Sequence, residues 1–192
     1  MNIIDALHHR RSIREFTDAA VDPDLLRFLI ATAVEAPNSV NRQAWSFTVV
    51  TDRALLENCS TRAKAHTLAG LAAAPHLVAH REHLAAPGFN IFYNAPALIV
   101  ISATESDAMA LQDCCLAAAY LMLAAFERGL GTCWIGFAES WLNQPEGKAA
   151  LEIPPAHIAV APIIVGYPTA APPAPARRTP AVTWIGDQAE MI

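Results

Sequence analysis

Asp107–Gly136 reads DAMALQDCCLAAAYLMLAAFERGLGTCWIG, and the fold is decided there. From Cys114 to Phe126 the run carries no charge. A helix apolar on all sides belongs inside a protein rather than on its surface. The uncharged run falls short of the roughly 20 apolar residues that cross a bilayer, and Gln112 and Asp113 close one end of it. Alanine dominates it, which favours helix and lets neighbouring backbones approach closely. Arg128 sits where a cation suits a helix C-terminus, and Gly129 and Gly131 stop the helix. Thr132–Ile135 is β-branched and aromatic, so it reads as a strand or the start of a site loop. The first expectation is a buried central helix with the rest of the fold wrapped round it.

The composition bounds what surrounds that helix. The chain has 192 residues, enough for one domain with a sizeable core. It is 54% hydrophobic and only 16% charged, to the apolar side of ordinary domains. Surplus apolar surface commonly goes into a subunit interface, so an obligate oligomer is expected. A net charge of −5 argues against a general nucleic-acid binder. The first residues hold no apolar signal-peptide core, and no membrane attachment is expected. Cys59, Cys114, Cys115 and Cys133 form no C-x-x-C pair and show no disulfide spacing, which suits a reducing, cytoplasmic setting.

Outward from the centre, short elements alternate. Ile3–His9 reads as a helix with Ile3, Ile4 and Leu7 on one face. Asp22-Pro23 is a cap followed by proline at the first helical position, and that helix runs through Leu25, Leu26, Leu29, Ile30 and Ala33 until Pro37 ends it. Phe47–Thr51 and Ala97–Ser102 read as strands, and Asp52 caps a helix between them. Residues 61–89 are Ala-rich, helical in tendency and broken by Gly70, Pro75, Pro87 and Gly88. Trp141–Leu151 reads as an interrupted helix, and Ile158–Val165 as a strand whose Pro162 requires an edge or a bulge. From Pro168 a proline-rich arm leads to Val182, Trp184 and Ile185, apolar side chains that need a surface to cover. With about four strands visible, an α+β sandwich fits better than a long doubly wound sheet. The chain reads as a single domain, with 1–167 as core and 168–192 as an arm.

Several stretches have the residue types for chemistry. Arg10, Arg11, Ser12 and Arg14 put three guanidinium groups and a hydroxyl within five residues, as a phosphate monoester requires. A solvated basic turn after a helix is the plainer reading of that cluster alone. No Rossmann or P-loop glycine pattern follows a strand. In Ala36–Trp45, the side chains of Asn38, Ser39, Asn41 and Gln43 could hydrogen-bond the edge of a planar heterocycle, although an amide-rich loop is ordinarily turn chemistry. His76, His80 and His83 recur at helical spacing, yet no paired carboxylate or H-E-x-x-H supports a metal site. No G-x-S-x-G is present, and Cys133 has no evident base beside it.

Taken together, these segments resemble the nitroreductase family of FMN-dependent flavoenzymes. RRSIREF (Arg10–Phe16) resembles its N-terminal phosphate motif, and APNSVNRQAW (Ala36–Trp45) its amide-rich loop, with Ala44 in place of the usual proline. FYNAPALIVI (Phe92–Ile101), ERGLGTCWIG (Glu127–Gly136) and IIVGYP (Ile163–Pro168) resemble its later strands and the loop beneath its flavin. The ordered set covers nearly the whole chain; only residues 61–89, which help shape the family's substrate pocket, match nothing.

The resemblance implies an α/β/α sandwich with a mainly antiparallel, mixed sheet, assembled as a homodimer with FMN at the subunit interface. Arg10, Arg11, Ser12 and Arg14 would then hold the FMN phosphate and ribityl end. Pro37, Asn38, Ser39, Asn41 and Gln43 would reach the flavin from the other subunit. Ile135 and Gly136 would lie along the isoalloxazine near N5, and Arg177 and Arg178 would close over the phosphate. The arm would pack on the partner. The implied reaction is ping-pong electron transfer from NAD(P)H to a small electron-poor acceptor such as a nitroaromatic or quinone. No side chain need act as an obligatory acid or base. Enone reduction, dehalogenation, flavin fragmentation and non-catalytic flavin binding are the alternatives on the same fold.

Overall fold

A computed structural model describes residues 3–186. Four strands form one sheet, β1 (Trp45–Val50), β2 (Ala97–Ala103), β3 (Gly131–Trp134) and β4 (Ile158–Gly166), in the order β1-β2-β4-β3. All three ladders are antiparallel, and an isolated parallel bridge between Ser12 and Thr132 supplies the mixed character. Side chains alternate across the pleat. Ile99, Ile101 and Ile163 enter one apolar cluster, whereas Leu98, Val100 and Ile164 enter another on the opposite face. Helices α2 (Pro23–Ala33) and α5 (Ala108–Glu127) cover the first face; α3 (Arg53–Ala69) and α6 (Gly136–Leu142) cover the second. The result is the three-layer sandwich the sequence implies.

The caps fall where the side chains dictate. Asp22, Asp52 and Asp107 each accept backbone N–H groups from the first turn of α2, α3 and α5, supplying acceptors that those turns otherwise lack. α1 (Ile3–His9) lies at the other end of α5. Gly129, at φ 73°, turns the chain out of α5, and the Leu130 N–H closes that turn on the Ala125 carbonyl at 2.8 Å. Pro162 lies in an inner strand, but one residue from the bulge left where Ile101 pairs with Ala161 and Ser102 with Ala159. Its carbonyl accepts from Ile135 just past the end of β3. The missing proline N–H points to that same side, past the end of β3, so no hydrogen bond to β2 is lost.

Two features refine the expectations. At 20 residues, α5 is long and apolar enough to cross a membrane by length and composition, and packing rather than length identifies it as a core helix. Ala110, Cys114, Ala117, Ala118, Leu121 and Ala125 are buried against the sheet and α2. Met109, Leu116 and Tyr120, on its other side, remain exposed in the single chain. Residues 71–85 are two 3-10 segments, Leu71–Ala73 and Pro75–His80, followed by the short helix α4 (Arg81–Ala85). The stretch 141–151 divides between the end of α6 and α7 (Pro145–Ala150), with Pro145 opening α7.

Ser102 is buried opposite Ser46, and its hydroxyl has no hydrogen-bond partner among the described residues. Ser46 spends its own hydroxyl on His157 Nδ1 at 3.0 Å. An orphaned buried hydroxyl costs folding free energy, so Ser102→Ala should stabilise the protein by about 1 kcal/mol, read as a higher urea midpoint.

Burial pushes the Cys59 thiol up to about 11 and the Cys114 thiol up to about 12. Below the unfolded thiol value of about 8.5 both states hold these protons alike. Above it, the unfolded chain releases protons that the folded chain keeps, so stability falls as pH rises from about 9. The melting temperature should therefore drop between about pH 8 and pH 10.5, and Cys114→Ala should remove part of that drop.

Candidate functional site

The Arg10–Arg14 segment leaves α1 and runs along the free edge of β3. The Ile13 N–H donates to the Thr132 carbonyl at 2.9 Å, and Ser12 bridges Thr132. Gly131 permits this approach, because a Cβ there would sit 2.8 Å from the Ile13 side chain. The arginine segment is thus fixed beside the Cys133–Gly136 turn by backbone pairing rather than by its own side chains.

A cavity of about 350 Å³ opens at that turn, within the range of small-molecule sites. Arg14, Tyr93, Cys133, Ile135, Gly136 and Glu139 contribute to its lining. Gly136 opens α6, with Ile135 at the cap position, and a Cβ built on it would meet nothing within 4 Å. The backbone there faces open space, as a flat ring laid against it would need. The Arg14 guanidinium lies 5.8 Å from the centre of the Tyr93 ring. Burial raises the Tyr93 hydroxyl above its ordinary value, and the charge of Arg14 opposes that shift. Burial likewise raises the Cys133 thiol, against the pull of Arg14, Ser12 and Arg10. Ser12, Arg14 and Arg10 therefore share one electropositive neighbourhood round Cys133. Partial burial raises the Glu139 carboxyl at the cavity mouth.

The remaining candidates lie elsewhere. Arg11 turns back on its own backbone, donating from Nη1 to the His8 and Arg10 carbonyls at 2.8 Å each. Arg10 and Arg11 border a neighbouring, smaller cavity with Thr132 and Pro168. The amide-rich loop is anchored near the start of α5, where the Ser39 N–H donates to both Asp113 oxygens at 3.1 Å. Asp113 and Glu127 are fourteen residues apart, about 21 Å along the helix. Pro37, Asn38, Ser39, Asn41 and Gln43 contribute nothing to the Gly136 cavity in this chain. Arg177 and Arg178 lie on the exposed arm.

Leu77, Tyr93, Trp134, Phe137 and Glu139 are the lining residues that sequence reasoning did not single out. Residues 71–89 reach the cavity through Leu77 and through ring contacts: His80 sits edge-on to Phe137, and His83 packs on Phe89, which meets Tyr93. Among the described residues no three His, Cys, Asp or Glu side chains converge as a metal site. The side chain of His76 lies outside the described residues.

The sequence profile of the Nitroreductase family matches residues 7–167. A relative from Methanothermobacter thermautotrophicus, provisionally named an NADH dehydrogenase/NAD(P)H nitroreductase, is 27% identical over 90% of this chain and 80% of its own length. A nitroreductase from Bacteroides fragilis, solved with bound FMN, superposes with a TM-score of 0.83 at 24% identity, covering 97% of this chain and all of that one. An FMN-dependent nitroreductase from Clostridium difficile gives 0.76 at 25% identity, covering 96% and 99%.

Proposed function

Since this chain belongs to the nitroreductase family, we propose that it is an FMN-dependent oxidoreductase that takes two electrons from NAD(P)H and delivers them to a small electron-poor acceptor, such as a nitroaromatic or a quinone. The observation that carries the reading is the open Gly136 backbone beside the electropositive Ser12–Arg14 segment. That donor set suits a flat ring with a phosphorylated tail. Arg10, Ser12 and Arg14 would neutralise and orient the phosphate and ribityl end, with Arg11, Arg177 and Arg178 adding charge. Ile135 and Gly136 would support the ring, and N–H groups at the start of α6 would point towards its reactive edge. Bound FMN supplies the two-electron chemistry. Donor and acceptor would use one cavity in turn, the ping-pong order, while Leu77, Tyr93 and Phe137 limit what fits.

A homodimer completes this arrangement. Ile3 and Leu7 of α1 and Tyr120 of α5 are exposed and line a mainly apolar cleft of about 560 Å³, and Ile4 and Leu116 on the same two helices are exposed as well. Covering that surface with a second copy would remove it from water. It would also let Pro37, Asn38, Ser39, Asn41 and Gln43 of one copy serve the cavity of the other. The exposed Val182, Trp184 and Ile185 give the arm apolar groups to lay on the partner. A cytoplasmic setting fits the free cysteines.

The test is the absorbance spectrum of the purified protein, followed by anaerobic titration with NADH and with NADPH. The expected result is a flavin spectrum that bleaches with one or both donors and returns when a quinone is added. A colourless protein that takes up no FMN, or bound flavin that neither donor reduces, would overturn the proposal.

A further inference from the structure

Asp113 is a charged residue on the buried face of the central helix, only 4% exposed. Its described hydrogen bonds both come from the Ser39 N–H, 3.1 Å from each oxygen. A buried carboxylate is expensive to keep, and one amide is a meagre partner for it. The loop that it holds is strained. Val40, Asn41 and Gln43 sit at φ 43°, 56° and 52°, in the left-handed region, and a β-branched residue such as Val40 is an outlier there. Asn38 Oδ1 accepts from the Gln43 N–H at 3.0 Å, and Gln43 Nε2 donates to Asn41 Oδ1 at 3.2 Å.

A second anchor holds the other end of the loop. Arg42 Nη1 reaches Glu105 and Asp107 at 2.9 Å each, and its Nη2 reaches the other Asp107 oxygen at 3.0 Å. Asp107 also caps α5. The loop is therefore tied at one point to the first half of α5 and at another to the residues that lead into it, and its polar side chains are held in a single shape. Strain of this kind persists only where the surroundings over-determine it, and it gathers at ligand clamps.

We infer that Asp113 and Arg42 are positioning residues, which hold the 38–43 loop in the strained shape that lets its amides meet the flavin ring bound by a partner copy. This rests on the function proposed above. The two residues touch no ligand themselves; they set the geometry of residues that do.

The experiment compares wild type, Asp113→Ala, Asp113→Asn and Arg42→Gln for FMN affinity by fluorescence titration, flavin absorbance shape, dimer mass by light scattering and melting temperature. Asp113→Ala should bind FMN about tenfold or more weakly with a perturbed flavin band, while the dimer persists. Asp113→Asn keeps an oxygen for the Ser39 N–H and should recover most of that loss. Arg42→Gln, at the partly exposed anchor, should weaken FMN in the same direction if Asp113→Ala does not fold. If the variants that fold melt at altered temperatures yet bind FMN with wild-type affinity and spectrum, the role is structural only and the inference is wrong. Wild-type protein that takes up no FMN overturns the proposed function, and this inference with it.

Discussion

Replacing Arg14 with Ala should weaken FMN binding about 10- to 100-fold while leaving riboflavin, which lacks the phosphate, nearly unaffected. A hydrogen bond from a guanidinium to a phosphate contributes about 1.5–3 kcal/mol, and Arg14 lines the Gly136 cavity itself whereas Arg10 and Arg11 line the neighbouring one. Arg14 is exposed at the cavity edge, lies over the Tyr93 ring and forms no salt bridge with a carboxylate among the described residues, which leaves its charge available to a ligand. Arg11→Ala should weaken FMN less, because that guanidinium already serves two backbone carbonyls. Fluorescence titration of apoprotein with each flavin separates the cases. Equal losses for FMN and riboflavin would show that Arg14 supports the ring or the cavity wall instead of the phosphate.

The second large effect is on folding. Gly147 of α7 packs so closely on the end of α6 that an added Cβ would overlap the Trp141 carbonyl and lie 2.8 Å from the Leu142 Cα. These are backbone atoms, with no flexible side-chain end to swing aside. Gly147→Ala should cost about 3 kcal/mol or more, seen as a large fall in the urea midpoint or as insoluble protein. Gly136→Ala is the control, since open space surrounds its Cβ position: it should leave stability nearly unchanged.

Local signals carried most of the fold. Asp22, Asp52 and Asp107 cap the helices they precede, and the apolar run 97–103 is a strand buried along its whole length. These features depend on neighbours in sequence, so they can be read there. The Ser39–Asp113 contact joins residues 74 apart, and nothing local announces it. Asp113 reads in sequence as the polar end of an apolar helix, whereas in the fold it is the buried anchor of a loop. Residues 71–89 are illegible for another reason: they break into short 3-10 segments, Leu71–Ala73 and Pro75–His80, that show no helical period, and contacts such as His80–Phe137 join them to distant residues. The exposed side of α5 was hidden too, because a run apolar on every side cannot say which face its own chain covers and which it leaves bare. The arginine cluster was visible as composition. Its division, with Arg14 at the Gly136 cavity and Arg11 turned to the backbone, became visible only once the segment lay along β3.

The strand order has a consequence for how the chain is made. β4 lies between β2 and β3 but is the last of the four to leave the ribosome. Until Ile158–Gly166 emerges, the nascent polypeptide carries β2 with one unpaired side and β3 with no ladder at all. Closure of the sheet must wait for almost the entire core to be translated, and a nascent chain stalled before residue 158 should remain open to proteases and dependent on chaperones.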